Sequence, residues 1–437
     1  MQWVPDLSYY LLPMISTQSK KTRLEQGLIL AALIAAGEAA FLLPFVLARV
    51  FRPTFLDVFG ISNFELGTAF SLYGIVAMGS YFAGGPLADR FSARKLMAAA
   101  LSATGIGGIV LAGIPSVKVM NVLWSVWGMT TILLFWAAMI RSTREWGQLS
   151  GQGKAYGFLD GGRGLLAAVI ASISVWIFSS LLPDRAIAPI TAEQREVAFR
   201  AVIWIFTGLT MAIALLVWKI IPDTEPSRST NTGTKFSLQN IKSACRMPSV
   251  RLHSIIIVCS YVGYKATDDF SLLARDALGF DDVGASSVGA LGFWVRALAA
   301  IGAGYLGDRI ESSRVITWGF CFLIAGSLLI ASGAMINVAW MLIMTIAATS
   351  AGIYALRGVY FALLEEGGVP LATTGSAIGV VSFIGFTPDV FMGPLMGILL
   401  DNSPGTLGHQ HVFASVAVFG FIGLAATAKF RRLTQPL

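Results

Sequence analysis

Twelve stretches of this chain are long and apolar enough to cross a lipid bilayer as helices: approximately 26–50, 64–87, 96–114, 118–141, 154–182, 200–221, 252–275, 284–307, 315–334, 337–363, 371–400 and 411–429. A hydrocarbon core about 30 Å thick takes about 20 mostly apolar residues per crossing, and within it a helix satisfies all its own backbone groups. That constraint predicts an all-α membrane protein. Composition agrees, since 55% of the 437 residues are hydrophobic and 13% charged, against about 25% charged in soluble domains. The net charge of +7 does not point to nucleic acid, because Lys and Arg cluster in short segments between the apolar runs.

The longest interruption, Pro222 to Val250, is polar, Ser/Thr-rich and basic. It predicts an interfacial N-terminal segment (1–23), a six-helix bundle (24–222), a cytoplasmic linker (223–250), a second six-helix bundle (251–430) and a short tail (431–437). The first 23 residues lack the basic start and apolar core of a cleaved signal and form a cytoplasmic or interfacial segment, in which Met1 to Met14, with Trp3, Tyr9 and Tyr10, are expected on the membrane surface or disordered. With the N-terminus inside, 20 of the 31 Lys and Arg fall in cytoplasmic segments, 7 in outer segments and 4 within helices. The positive-inside rule then predicts both termini in the cytoplasm, in an inner or plasma membrane.

The halves also repeat. "GGPLADRFSARKL" (84–96) follows the second helix and "AGYLGDRIESSRV" (303–315) follows the eighth. At an offset of 219, Gly85, Leu87, Asp89 and Arg90 match Gly304, Leu306, Asp308 and Arg309. Two copies in register within a six-plus-six layout resemble the signature loop of the major facilitator superfamily, and the resemblance covers essentially the whole chain. It implies two six-helix bundles with pseudo-two-fold symmetry, a substrate bound between them near mid-membrane, and alternating access. It also implies gating roles for Asp89, set against the N-terminal end of helix 11, with Arg90 and Arg94 or Lys95 in support, and for the repeat pair Asp308 and Arg309. Ser313 stands where the first copy has Arg94, which predicts a weaker second latch.

Charges well inside the spans are Glu38, Asp160, Arg163, Lys265, Asp268, Asp269, Arg296, Arg357 and Asp389. Each costs about 2.5–3.5 kcal/mol at a helix centre, so such residues face a wet cavity or one another. They fall in helices 1, 5, 7, 8, 10 and 11, while the cores of helices 3, 6, 9 and 12 carry none, which in the resembled fold are the lipid-facing ones. Counting 1.5 Å per residue puts Glu38, Arg163, Lys265 and Arg296 near mid-membrane. Glu38 and Arg296 have no partner on their own helix and must find one across helices. Lys265 can pair with Asp268 (i,i+3) or Asp269 (i,i+4), as Asp160 can with Arg163. That leaves "YVGYKATDDF" (261–270) either an internal ion-pair strut or a proton-and-anion station. Arg357, near Glu365 and Glu366, suits a cytoplasmic gate or the binding site.

The cations suit an anionic substrate, Arg in particular through bidentate geometry. Expected substrate contacts are Glu38, Arg163, Lys265 and Arg296, with Tyr261, Tyr264, Trp294 and Tyr354 as an aromatic wall. Protonatable carboxylates for coupling are Glu38, Asp268, Asp269 and Asp389. Proline breaks around Pro388 and Pro394 predict a kinked helix 11. His409 and His411 are expected in an outer loop, too few for a metal, and the three cysteines are far apart. No phosphate-binding loop and no nucleophile–base pair appears, so neither an ATP-driven pump nor an enzyme is expected, and no cofactor. The chain therefore reads as a monomeric secondary transporter whose partners are the bilayer, protons and a small polar, anionic organic solute. An exporter of amphipathic compounds or siderophores, and a non-transporting membrane sensor, are the alternatives.

Overall fold

The computed structural model describes residues 23–88, 90–150, 152–183, 190–223, 238–334, 338–369, 371–403 and 405–434. Twelve spans follow in order: α1 (Arg23–Phe41, then Leu42–Val46 and Leu47–Val50), α2 (Asn63–Ala88), α3 (Ala93–Ala112), α4 (Val117–Gly128, Met129–Trp136, Ala137–Ser150), α5 (Gln152–Leu181), α6 (Ala192–Ile220), α7 (Pro248–Ala266, Thr267–Asp269, Phe270–Leu278), α8 (Asp282–Ile310), α9 (Ser312–Ala331), α10 (Ala339–Val359), α11 (Leu371–Gly385, Pro388–Asn402) and α12 (Thr406–Thr434). Among the described residues there is no strand. Eleven of the spans are long and apolar enough to cross a bilayer uninterrupted. The twelfth, α7, carries its charges at a break. Two short helices, Arg52–Phe59 and Leu238–Arg246, lie outside the spans that hydropathy alone marks.

The breaks have local causes. Pro44 has no N–H to give, and α1 accommodates it by widening to a π-helix over Leu42–Val46; the Pro44 carbonyl accepts from the Trp124 indole at 3.1 Å. In α4 the π-helix Met129–Trp136 begins where Thr130 and Thr131 donate back to the Trp127 carbonyl. In α7 the Thr267 hydroxyl donates to the Tyr264 carbonyl at 2.7 Å, and the chain tightens into a 3₁₀ turn over Thr267–Asp269. In α11 Pro388 restarts the helix as its first residue, so the expected kink is present.

α1–α6 and α7–α12 form two halves. The start of α1 and the end of α12 share one face, here the terminal face; the opposite one is the far face. The halves meet tightly at the far face. There Gly67 of α2 lies on the backbone of Gly393 in α11, and Gly397 on that of Phe64, with no room for a side chain. Asp401 at the end of α11 accepts from the Asn63 and Phe64 backbone N–H groups at 3.1 and 2.8 Å, capping α2 from the other half. Arg195 pairs with Asp282 at 3.0 Å and Arg275 with Asp57 at 3.0 Å, again across the seam. Toward the terminal face the halves part around a cavity of about 1180 Å³.

Candidate functional site

The cavity is lined from Leu30 and Tyr305 near the terminal face to Arg49, Lys265 and Asp389 at its closed end. Three groups of charge stand on its wall. In the first, Glu38 on α1 is 1% exposed, with Arg163 (α5) at 3.6 Å and Arg296 (α8) at 3.7 Å. Both distances exceed hydrogen-bond length, and Glu38 Oε2 and Arg163 Nε have no hydrogen-bond partner. The cross-helix partners that Glu38 and Arg296 require are therefore each other and Arg163. Asp160 lies 3.9 Å from Arg163 with its side chain largely exposed at the mouth. Gly37 makes the approach of α5 possible, since a Cβ there would stand 2.8 Å from Arg163 Cδ.

In the second group, Arg49 Nε donates to Asp268 Oδ1 at 2.6 Å and its Nη1 to the Tyr264 hydroxyl at 3.1 Å. Lys265 Nζ lies 3.3 Å from Asp268 Oδ2 and 3.5 Å from Asp389 Oδ1, and the Tyr261 hydroxyl donates to Asp389 at 3.0 Å. The ammonium also faces the rings of Phe45 and Phe70 at 4.8 and 5.0 Å. Asp389 thus sits on the cavity wall at its closed end.

The third group is a single cation. The Arg357 guanidinium lies 3.8 Å from the Tyr264 ring centre and 5.3 Å from that of Tyr261. Its Nη1 is buried without a hydrogen-bond partner, and among the described residues no carboxylate is within ion-pair distance. Arg357 belongs to the cavity wall beside the tyrosines, as does buried Tyr354. Phe41, Phe45, Tyr81, Trp136 and Phe386 supply further rings.

Several expectations need correction. Lys265 does not pair with Asp269. In a 3₁₀ turn residues three apart eclipse, which keeps Asp268 over Lys265 and swings Asp269 to the other side. Asp269 instead bonds His409 at 2.6 Å. His409 is therefore no outer-loop residue: it is fully buried, with its other nitrogen 3.1 Å from Asp276. Trp294 is 40% exposed, donates to Ser172 at 2.9 Å and lies off the cavity wall. Of the gating residues, Asp89 and the side chain of Asp308 lie outside the described residues. Arg90 is exposed, Arg309 stacks on Tyr305 at 4.3 Å, and Arg94 pairs with Asp223 just beyond α6, with Lys95 3.8 Å from the same carboxylate.

Arg49 is the residue that sequence reasoning missed. At the end of the apolar run 26–50 it reads from the sequence as one of the seven basic residues of the outer segments. With Arg49 included and Asp269 removed, the wall holds five cations (Arg49, Arg163, Lys265, Arg296, Arg357) against three carboxylates (Glu38, Asp160, Asp389), with a fourth, Asp268, behind it paired to Arg49 and Lys265.

The model of the Major Facilitator Superfamily matches residues 28–388. Inner membrane protein YqcE of Escherichia coli (strain K12) is 28% identical over 415 residues, covering 92% of this chain and 94% of that protein. Among solved structures, a mutant of the nucleoside transporter NupG superposes with a TM-score of 0.71 at 13% identity, covering 93% of this chain and 98% of that one. A bacterial homologue of the human lysosomal transporter Spinster, in an inward-facing and unoccupied conformation, gives 0.70 at 14%, covering 94% and 98%. At these identities the superpositions speak for the fold alone.

Proposed function

This chain belongs to the major facilitator superfamily of membrane transporters, and we propose that its cargo is a small organic anion, carried by alternating access together with protons. The observation that carries this reading is Arg357, a cation on the cavity wall with no carboxylate in reach among the described residues. A desolvated guanidinium without a counter-ion is costly, and an anionic ligand offers it bidentate bonds. Arg163 and Arg296, which both lean on Glu38 beyond hydrogen-bond length, add a second place where an oxyanion improves the bonding. The rings of Phe41, Trp136, Tyr81 and Phe386 suit a cargo with a planar or cyclic body.

The excess of basic residues on the terminal face supports a cytoplasmic placement of that face. The cavity then opens inward, and the far-face contacts form the closed outer gate. Alternating access opens that gate by parting Arg195 from Asp282, Arg275 from Asp57 and Asp401 from α2. Proton coupling falls to the carboxylates that hold the wall cations, Glu38 foremost: a proton there releases Arg163 and Arg296 to the cargo.

The test is flux into proteoliposomes under an imposed pH gradient, using labelled D-glucuronate, glycerol 3-phosphate and benzoate beside their neutral counterparts glucose, glycerol and benzyl alcohol. The reading expects gradient-stimulated uptake of at least one anion and not of its neutral counterpart. Flux of neutral solutes alone, or of nucleosides in preference to every anion, overturns it.

A further inference from the structure

The buried cluster on α7 and α12 has no part in the cargo site, and its proton count is informative. His409 is fully enclosed, with Nδ1 2.6 Å from Asp269 Oδ2 and Nε2 3.1 Å from Asp276 Oδ2. Each contact needs a proton between nitrogen and oxygen. A neutral imidazole carries one N–H, so with both carboxylates ionised one contact would set lone pair against lone pair. The cluster as built holds one proton more. Asp269 Oδ1 is buried without a hydrogen-bond partner. The Asp276 side chain is 26% exposed, which gives the proton a way to the far-face solution.

We propose that His409, clamped between Asp269 and Asp276, is a proton-binding site outside the cargo cavity whose occupancy favours closure of the outer gate. It rests on the orientation and gating given above. The remaining groups facing it follow from the packing. On α7, Arg275 lies 3.3 Å from Asp276 and 3.0 Å from Asp57 of the first half. Arg52, on the short helix after α1, acts electrostatically on Asp269 while donating to Asn63 at 2.9 Å. α9 has no charged residue in its outer half, Asp401 of α11 is engaged by α2, and His411 bonds Ser403 at 3.2 Å.

The link to the gate runs through Arg275. With the gate closed, Asp57 and Asp276 share its guanidinium. Opening removes Asp57, Arg275 turns wholly to Asp276, and the imidazolium loses part of its partner. Proton binding and gate closure therefore favour each other, and the coupling is reciprocal. A proton taken from outside promotes the step that turns a loaded transporter inward.

The chain has three histidines, so ¹⁵N spectra of histidine-labelled protein resolve them directly. The resonances lost in His409→Gln should show both ring nitrogens protonated at pH 7.5 in the unaltered protein, and a neutral ring at that pH in Asp276→Asn. Spin labels on Ser116→Cys and Ser332→Cys, exposed at the far ends of the two halves, should move to shorter separations at pH 6 than at pH 8.5, and this shift should vanish in His409→Gln. A neutral His409 ring in the unaltered protein overturns the site. A pH-driven shift that survives both His409→Gln and Asp276→Asn overturns its link to the gate. Asp276→Asn, altered at the partly exposed partner, serves if His409→Gln does not fold. Labelling of Ser332→Cys from outside intact cells checks the orientation separately, so a misassigned face is distinguishable from an empty proton site.

Discussion

At the scale of single residues, the wall charges differ in what they leave behind when removed. Asp268 is the only carboxylate within ion-pair distance of Arg49 among the described residues. Asp268→Asn therefore strands a buried guanidinium, and thermal unfolding in detergent should report a loss of about 3–5 kcal/mol. Glu38 behaves in the opposite sense. Its carboxylate competes with cargo for Arg163 and Arg296. In Glu38→Gln, anion affinity by calorimetric titration should be about tenfold higher, ~1.4 kcal/mol. Unchanged affinity in that variant would show that Glu38 does not compete with cargo for the two arginines. This cluster was legible in the sequence for a simple reason: lone charges on separate apolar helices must meet one another or a ligand. Arg49 was not, because a basic residue at the end of an apolar run reads equally as a loop marker.

At the scale of elements, the two interrupted helices assemble the closed end of the cavity. The 3₁₀ turn of α7 keeps Lys265 and Asp268 in line, and the restart of α11 at Pro388 brings Asp389 to within 3.5 Å of Lys265. Proline announces a break in the sequence; Thr267 does not, since a threonine in a membrane helix usually bonds back without ending the helix. That single unforeseen turn is why the i,i+4 pairing failed and why Asp269 and His409 went unconnected. The glycines of α2 and α11 are a second element-level device. Gly397 rests on the backbone of Phe64, so Gly397→Val should hold the far face apart. The expected outcome is a folded, monodisperse protein with flux reduced at least tenfold and longer far-face spin-label separations. Normal flux would show that the close approach is dispensable.

At the scale of the whole molecule, the span count and the all-helical, two-bundle fold followed from hydropathy and charge placement, because a bilayer admits so few solutions. Which side of the cavity is closed did not follow. It depends on contacts between residues hundreds of positions apart, such as Asn63 with Asp401 and Arg195 with Asp282. The central claim is that the cavity selects charge, through a guanidinium, Arg357, that has no counter-ion among the described residues. Arg357→Gln removes that charge without stranding any carboxylate among the described residues, so the variant should unfold near the temperature of the unaltered protein. The most direct measurement is the ratio of affinities for D-glucuronate and glucose, taken by titration calorimetry on both proteins. The account predicts a clear preference for the anion that falls at least tenfold in Arg357→Gln. An anion preference that is absent in the unaltered protein, or identical in the two, would contradict it.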